Sequence, residues 1–199
     1  MCGRFFVYDE TTDAIERLVR EVKAGLKEER RTGDIHPTER AAVISAGENG
    51  MIADMKRWGF PGFEKQKVLI NARAETVLER KIFRDSILNR RIIIPAAGFY
   101  EWDNQKEKVT FTALDGCDKR NSLLFMAGFY NRFEGEERFI ILTTVANESM
   151  RDVHDRMPLI LERDELETWL YEDGKLEEML RKEPGRLHRE MEYEQQRLF

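Results

Sequence analysis

The sequence predicts a single α+β domain over residues 1–199, with a mostly antiparallel sheet or barrel-like β core and flanking helices. Six short apolar runs typical of strands occupy the middle of the chain, and Gly-, Pro- and Asp-containing turn signals lie between many of them. Helical periodicity is confined to the two ends and one short stretch, which favours antiparallel pairing over repeated βαβ units. With 41% hydrophobic residues and no internal repeat or linker, the chain can bury one core.

The predicted elements follow in chain order. A short apolar strand at 4–8 is followed by a helix at 11–22, where apolar residues recur at i, i+3, i+4 and i+7. The charged stretch 23–31 predicts a solvated connection. Strands are predicted next, with one or two helical turns within 76–88; their ranges are 42–45, 51–58, 91–97, 109–113, 123–128 and 138–144. Helices are predicted at 163–171 and 175–182, and the charged tail 182–199 is expected to be weakly anchored.

Charge and cysteine content exclude several classes of protein. The net charge of −5, from 33 basic and 38 acidic residues, argues against a basic surface that coats duplex DNA or anionic lipid, but permits a local basic cleft. No apolar run approaches the ~20 residues of a membrane span, and the N-terminus lacks a signal-peptide core, so we expect a cytoplasmic protein. Cys2, Cys117 and three histidines lack the spacing of a disulfide scaffold or metal site, and no cofactor is predicted.

The N-terminus carries the most reactive arrangement of groups. Removal of Met1, which is usual when residue 2 is small, would leave Cys2 with an amine and a thiol on adjacent carbons. Both groups are nucleophilic near neutral pH, and the positive charge of Arg4 is expected to lower the pKa of the thiol. With an aldehyde, the amine gives a Schiff base and the thiol closes a thiazolidine ring. Alternatively, Cys2 is only a small apolar residue that opens a buried strand.

A polar run follows the apolar residues at 69–70. Here Asn71 is suited to orient an amine or a carbonyl group, and Arg73 is suited to bind a phosphate. Taken alone, the segment also fits a helix boundary with an exposed arginine.

Two other candidates are acid–base groups. Glu101 leaves a strongly apolar run, so a desolvated carboxyl group suited to proton transfer is expected, with Tyr100 and Trp102 beside it in the core. His154 lies between ionisable neighbours just before an apolar strand and is a candidate proton shuttle. The alternatives are a solvent-facing carboxylate and a structural histidine.

Together these segments resemble the SRAP family, the SOS response-associated peptidase domain. The resemblance covers residues 2–161 and rests on MCGRF, RWG, NARAET, GFYEW, TT and HDRMP, in that order. In the family, the N-terminal cysteine forms a thiazolidine with the ring-opened sugar of an abasic site in single-stranded DNA and thereby shields the lesion. The same cysteine accounts for the self-processing behind the peptidase name.

The resemblance implies a role for each matching residue. Cys2 would be the nucleophile, Asn71 would hold its amine, and Glu101 would assist ring opening and Schiff-base formation. His154 would be the second proton-transfer group. Three phosphate-binding arginines and an aromatic residue that meets unstacked bases are also implied: Arg4, Arg73, Arg156 and Trp58. A few arginines along one groove suffice for DNA binding by an acidic protein.

The sequence departs from the family pattern at 34–37, in the short loop at 61–63, and after 161, where no typical closing strand is visible. Two alternative functions remain open. A thiol peptidase acting in trans through Cys2, His154 and Asn71 would not need a free α-amine, and a non-catalytic module for single-stranded DNA would survive loss of Cys2 and Glu101. We expect a monomer whose partner is single-stranded DNA with abasic sites, without a membrane or metal.

Overall fold

β-Strands form most of the regular structure. The computed structural model describes residues 2–29, 31–62, 64, 67–114 and 123–191. In chain order its strands are β1 Arg4–Val7, β2 Glu21–Val22, β3 Gly33–Ile35, β4 Arg40–Gly47, β5 Gly50–Trp58, β6 Phe60–Pro61, β7 Val68–Leu69, β8 Asn71–Arg73, β9 Arg91–Ala96, β10 Gly98–Trp102, β11 Lys108–Ala113, β12 Leu124–Phe133, β13 Glu136–Val145, β14 Arg156–Pro158, β15 Ile160–Leu161 and β16 Leu187–Met191.

Five α-helices lie in the described residues. They are α1 Asp9–Leu18, α2 Ala24–Glu28, α3 Lys81–Asn89, α4 Leu166–Tyr171 and α5 Leu176–Leu180. Three short 3-10 turns precede or join them, at Ala74–Thr76, Arg163–Glu165 and Asp173–Lys175. No helix in these ranges is both long and apolar enough to cross a bilayer.

The strands form two large sheets. The five-stranded sheet has the order β16-β11-β10-β1-β3 and is antiparallel throughout. The nine-stranded sheet runs β14-β13-β12-β9-β4-β5-β2, with β15 on β12 and β8 on β13, while β6 and β7 form a small separate pair. Most pairs are antiparallel, so the predicted α+β class with a mostly antiparallel β core and flanking helices is confirmed.

The nine-stranded sheet separates two apolar cores. Along β9, Ile92 and Ile94 face the core shared with the five-stranded sheet, whereas Ile93 faces the core covered by the helices. Side chains alternate along a strand, so a continuous apolar run fills both cores at once. This double burial explains why the sequence at 91–96 is almost uniformly apolar.

The predicted strands are confirmed, and most of them extend beyond a predicted end, although β1 and β9 each end one residue earlier than predicted. The run predicted at 123–128 continues as β12 to Phe133, because a tight hairpin carries the pairing on to Phe133↔Glu136. Glu134 and Gly135 both have positive φ, 50° and 85°, as a two-residue hairpin turn requires.

Three local predictions need correction. The predicted helix at 11–22 begins earlier and ends at Leu18, since Glu21–Val22 pairs with β5 as a parallel strand. The charged stretch 23–31 contains α2, whose Leu26 is buried in the helix-side core. The charged ending is not weakly anchored as far as residue 191: β16 is a closing strand on β11, and its Leu187 is buried. Residues 192–199 lie outside the described residues.

Candidate functional site

Cys2 lies just before β1 and is fully buried. Its thiol donates a weak hydrogen bond to the carbonyl oxygen of Arg4, with an Sγ–O distance of 3.8 Å. Burial raises the pKa of the Cys2 thiol to about 12, and the negative charge of Glu101 adds to the rise. A backbone hydrogen bond with Arg4 lowers this pKa but is outweighed by burial, so in the chain that carries Met1 the net shift is opposite to the one expected from the charge of Arg4. In that state the thiol is protonated at neutral pH.

Asn71 connects the start of the chain to the nine-stranded sheet. It begins β8, which pairs in parallel with β13, and its Nδ2 donates to the carbonyl oxygen of Cys2 at 3.0 Å. Its Oδ1 is buried and has no hydrogen-bond donor among the described residues. A buried acceptor of this kind is costly unless a donor reaches it. The amide thus holds Cys2 through its backbone and keeps its oxygen available for an N–H group.

Glu101 is buried on the inner face of β10, at 6% exposure. Because side chains alternate along a strand, its neighbours Tyr100 and Trp102 point to the opposite face. The carboxyl group is close enough to Cys2 for its charge to raise the thiol pKa. The predicted burial of Glu101 is confirmed, and the five-stranded sheet holds it within electrostatic reach of Cys2.

His154 lies near the end of the loop between β13 and β14, and its side chain is 27% exposed. Its Nδ1 lies 2.9 Å from the Arg156 amide nitrogen and 2.9 Å from Oδ1 of Asp155. One nitrogen cannot both accept from the amide and donate to the carboxylate. The amide is fixed in β14, whereas the Asp155 side chain is 83% exposed and can turn into water. We therefore assign Nδ1 as the acceptor and place the proton of neutral His154 on Nε2.

The three candidate arginines occupy different environments. Arg73 is exposed at the end of β8. Arg4 lies 3.6 Å from the carboxylate of Asp34, and its guanidinium carbon is 5.2 Å from the centroid of the Trp102 ring. A cation over an aromatic face is attracted to it, and both side chains are partly exposed, Arg4 at 33% and Trp102 at 36%.

Arg156 is a buried ion-pair partner. Its two terminal nitrogens each lie 2.8 Å from an oxygen of Glu75, and Nη2 also donates to the carbonyl oxygen of Thr143 at 2.6 Å. Burial opposes ionisation of Glu75, but Arg156 and Thr144 outweigh it and lower the pKa of Glu75 below its ordinary value. The expectation of a phosphate-binding Arg156 is therefore corrected: its charge is already paired.

Trp58 is a core residue. Its ring has no exposed surface, its indole N–H donates to the Ile70 carbonyl oxygen at 3.0 Å, and it packs against Phe5 and Phe139 at centroid distances of 5.2 and 6.3 Å. The expectation that Trp58 meets unstacked bases is therefore wrong. A fully buried ring has no face left for a base.

Trp102 is the exposed tryptophan of this region, at 36% exposure, and the sequence interpretation wrongly placed it in the core. The signal that identifies it is the strand alternation of β10: a carboxylate at 101 that faces inward requires an outward side chain at 102. Tyr100 shares the outer face and is only half-buried. Burial and the negative charge of Asp34 raise the pKa of Tyr100 to about 12.

β13 organises one side of the site. Strands that pair with it supply the Asn71 amide, the exposed Arg73 and the buried Arg156, and the register is Asn71↔Ile141, Arg73↔Thr143 and Arg156↔Val145. These positions span about 13 Å along the strand. On the other side, β10 supplies Glu101, and Cys2 contacts residues of both sheets. Within the described ranges, no group of three or more His, Cys, Asp and Glu side chains is placed to hold a metal ion.

Comparison with known proteins assigns a family. The family model for the SOS response associated peptidase (SRAP) matches residues 1–195.

Two similar curated proteins come from Bacillus subtilis. Its abasic site processing protein YoaM is 34% identical over 181 residues, which cover 85% of this chain and 79% of that protein. Its abasic site processing protein YoqW is 35% identical over 187 residues, which cover 85% of this chain and 80% of that protein.

A solved structure shares the fold. A protein from Bordetella bronchiseptica superposes with a TM-score of 0.77 at 23% identity, covering 96% of this chain and 99% of that one. The family model spans nearly the whole sequence, and relatives above 30% identity match more than two thirds of it. This protein is a member of the SOS response-associated peptidase family.

Proposed function

We propose that this protein recognises abasic sites in single-stranded DNA and links to them covalently through Cys2 after Met1 is removed. The names of its relatives, abasic site processing proteins, support the substrate class. The observation that carries the proposal is the environment of Cys2: its carbonyl oxygen is bound by Asn71, and its buried thiol lies within electrostatic reach of the Glu101 carboxyl group.

The chemistry needs an amine and a thiol on one residue. A ring-opened abasic sugar offers an aldehyde at C1′, and the α-amine of processed Cys2 adds to this carbon. Water leaves as the C=N bond forms. The thiol sulfur then adds to the same carbon while the thiol proton passes to the nitrogen, which closes a five-membered thiazolidine. One water is released overall, and nothing is oxidised or reduced.

Three side chains of the candidate site have a task in this reaction. The free Oδ1 of Asn71 is a suitable acceptor for the new amine of Cys2. Glu101 delivers a proton to the departing hydroxyl and then, as the carboxylate, takes the thiol proton and passes it to the nitrogen; because Cys2 is buried, a free thiolate is disfavoured and such a base is needed. His154, with its proton on Nε2, is the second proton donor.

The DNA contacts are proposed for the exposed groups. Arg73 is an exposed cation, and Arg4, whose pair with the 39% exposed Asp34 is open to solvent, can exchange that carboxylate for a phosphate; Trp102 offers an aromatic face beside Arg4. Unstacked bases gain ~1 to 3 kcal/mol each from such stacking, and phosphates gain from nearby arginines without base specificity. This arrangement favours single-stranded over duplex DNA.

Intact mass spectrometry tests the proposal. Protein whose measured mass lacks Met1 is mixed with a single-stranded oligonucleotide that carries one abasic site. We expect an adduct whose mass is the sum of the two components minus one water. Cys2→Ser keeps the amine, so it should give only a Schiff base that borohydride traps, and Glu101→Gln should slow the wild-type reaction at least tenfold.

Three outcomes separate the alternatives. A thiol peptidase acting in trans would cleave an added peptide even with its α-amine acetylated, and would give no DNA adduct. A non-catalytic binding module would bind the oligonucleotide equally well as wild type, Cys2→Ser or Glu101→Gln, again without an adduct. The third outcome, a stable adduct of processed wild type and only a borohydride-trapped one of Cys2→Ser, supports the proposal; each variant is assayed only after its measured mass shows that Met1 is absent.

A further inference from the structure

The last described strand completes the sheet that holds Glu101. β16 pairs with β11 through five residue pairs, from Val109↔Met191 to Ala113↔Leu187. On its other edge, β11 pairs with β10, where Val109 lies opposite Glu101. Met191, Val109 and Glu101 therefore form one row across three strands. The charged end of the chain is thus joined by main-chain hydrogen bonds to the strand that carries the proposed acid–base group.

The loop that carries His154 has a fixed backbone. We call residues 146–155, between β13 and β14, the His154 loop. The amide of His154 donates to the Met150 carbonyl oxygen at 3.0 Å, and the Met150 amide donates to the Asn147 carbonyl oxygen at 3.1 Å. The Ala146 amide closes the base of the loop on Asp155, also at 3.0 Å. The position of His154 consequently depends on where Asn147 is held.

Asn147 is held by the segment that leads into β16. Its buried Nδ2 donates to the carbonyl oxygens of Pro184 and Gly185, both at 2.9 Å. Its Oδ1 accepts from the Ser149 amide at 3.0 Å and from the Ser149 hydroxyl at 2.6 Å. The Ser149 hydroxyl in turn accepts from the Leu187 amide at 3.1 Å. The two donors and two acceptor sites of the Asn147 amide are all used, which fixes its orientation.

We propose that Asn147 is a positioning residue that fastens the His154 loop to the closing strand, and so sets His154 relative to Glu101. This inference rests on the proposed function, because it matters only if His154 and Glu101 both transfer protons in the same reaction. His154 comes from a loop and Glu101 from a strand of the other sheet, and loop-borne groups need such support to reach catalytic precision. The link runs through a buried amide, whose hydrogen bonds are directional.

Exposed ion pairs join the same two segments but cannot provide this precision. Arg186 pairs with Glu148, and Arg189 lies 2.5 Å from Asp152, with all four side chains more than 40% exposed. Pairs of this kind contribute about 0 to 1 kcal/mol and hold no fixed geometry. They therefore supply a natural control, because removing one leaves the buried amide network in place.

The test compares reaction with binding. Full-length proteins without Met1 are given a single-stranded abasic oligonucleotide, and the first-order rate of cross-linking is measured at saturating protein. Binding is measured with the same oligonucleotide carrying a tetrahydrofuran, which lacks the aldehyde. The variants are Asn147→Asp, which removes both donors, Ser149→Ala, which removes the hydroxyl, Ser149→Thr, which keeps it, and Arg186→Ala as control. All rates are taken well below the Tm of the least stable variant.

We expect Asn147→Asp to lower the rate roughly a hundredfold, the effect of about a 1 Å misplacement, and Ser149→Ala to lower it about tenfold. Ser149→Thr should restore the rate, Arg186→Ala should match wild type, and all variants should bind the tetrahydrofuran oligonucleotide within about twofold of wild type. If Asn147→Asp does not fold, the comparison of Ser149→Ala with Ser149→Thr tests the inference.

Two results would overturn the inference. One is wild-type cross-linking by folded Asn147→Asp or Ser149→Ala. The other is a loss of rate matched by an equal loss of binding, which marks a general structural role. In both, wild-type protein still cross-links, so the proposed function stands. If wild-type protein forms no adduct, the proposed function fails and this inference fails with it.

Discussion

Asn71 donates its side-chain amide to the carbonyl oxygen of Cys2 across 3.0 Å and across 69 residues of sequence. This bond joins the segment before β1 to β8, and through β8 to β13 of the nine-stranded sheet. A chain terminus is ordinarily the least ordered part of a protein. Here Cys2 is buried and tied by its carbonyl oxygen, at the position where the proposed chemistry requires a fixed amine and thiol.

Replacement of Asn71 by Asp should slow cross-linking at least tenfold, because a carboxylate facing the Cys2 carbonyl oxygen repels it and removes the donor. The rate of adduct formation on a single-stranded abasic oligonucleotide measures the effect. Asn89→Asp, at an exposed end of α3, is the matched control and should behave as wild type. A wild-type rate for Asn71→Asp would remove Asn71 from the mechanism.

The two tryptophans should respond in opposite ways. Trp58→Ala removes a fully buried ring and should lower the free energy of unfolding by about 3 to 5 kcal/mol. Trp102→Ala should leave urea unfolding almost unchanged but weaken binding of a single-stranded oligonucleotide by roughly 5- to 100-fold. Wild-type affinity for folded Trp102→Ala would show that its exposed ring meets no base.

Arg73 should contribute one phosphate contact. In a plot of log affinity against log salt for single-stranded DNA, Arg73→Ala should reduce the slope by about 0.7. Arg163→Ala, at an exposed residue of the 3-10 turn before α4, is the control and should keep the wild-type slope. Equal affinity of the wild-type protein for single-stranded and duplex DNA at physiological salt would contradict the proposed interface.

The Glu75–Arg156 pair predicts a pH dependence of stability. The folded state lowers the pKa of Glu75 below its ordinary value of 4.5, so the pair stabilises the fold above pH 4.5. This contribution is lost as the pH falls through the lowered pKa, because the carboxyl group is then protonated in both states. The Tm difference between wild type and Glu75→Gln should be largest near neutral pH and shrink in acid. A difference that stays constant down to pH 3 would contradict the assignment.

The pattern of apolar residues in the sequence predicted most of the long strands and one buried residue of the candidate site. The apolar runs identify β4, β5, β9, β11, β12 and β13, because burial on one or both faces leaves a direct mark in composition. Burial of Glu101 follows from the apolar run that contains it. These features are set by residues that are close together in the sequence, so they can be predicted from the sequence alone.

Tertiary contacts decided the features that the sequence did not predict. Trp58 and Trp102 each end a strand, β5 and β10. Trp58 is buried because its ring packs against Phe5 and Phe139, which are distant in sequence. The charged run 187–191 becomes a strand because β11 offers a free edge, not because its residues favour one. Likewise, the charged neighbours of Arg156 in sequence suggest an exposed side chain. It is buried because it pairs with Glu75, which lies 81 residues away in the chain.

The central claim is that a stable adduct requires the free α-amine of Cys2, and one comparison of intact masses tests it. Processed protein and protein that retains Met1 are each incubated with the same single-stranded abasic oligonucleotide, and adduct is measured over time and after heating. We predict a stable adduct, one water lighter than the sum of its parts, only for the processed protein. An adduct formed as fast and as stably by the protein that retains Met1 would contradict the account.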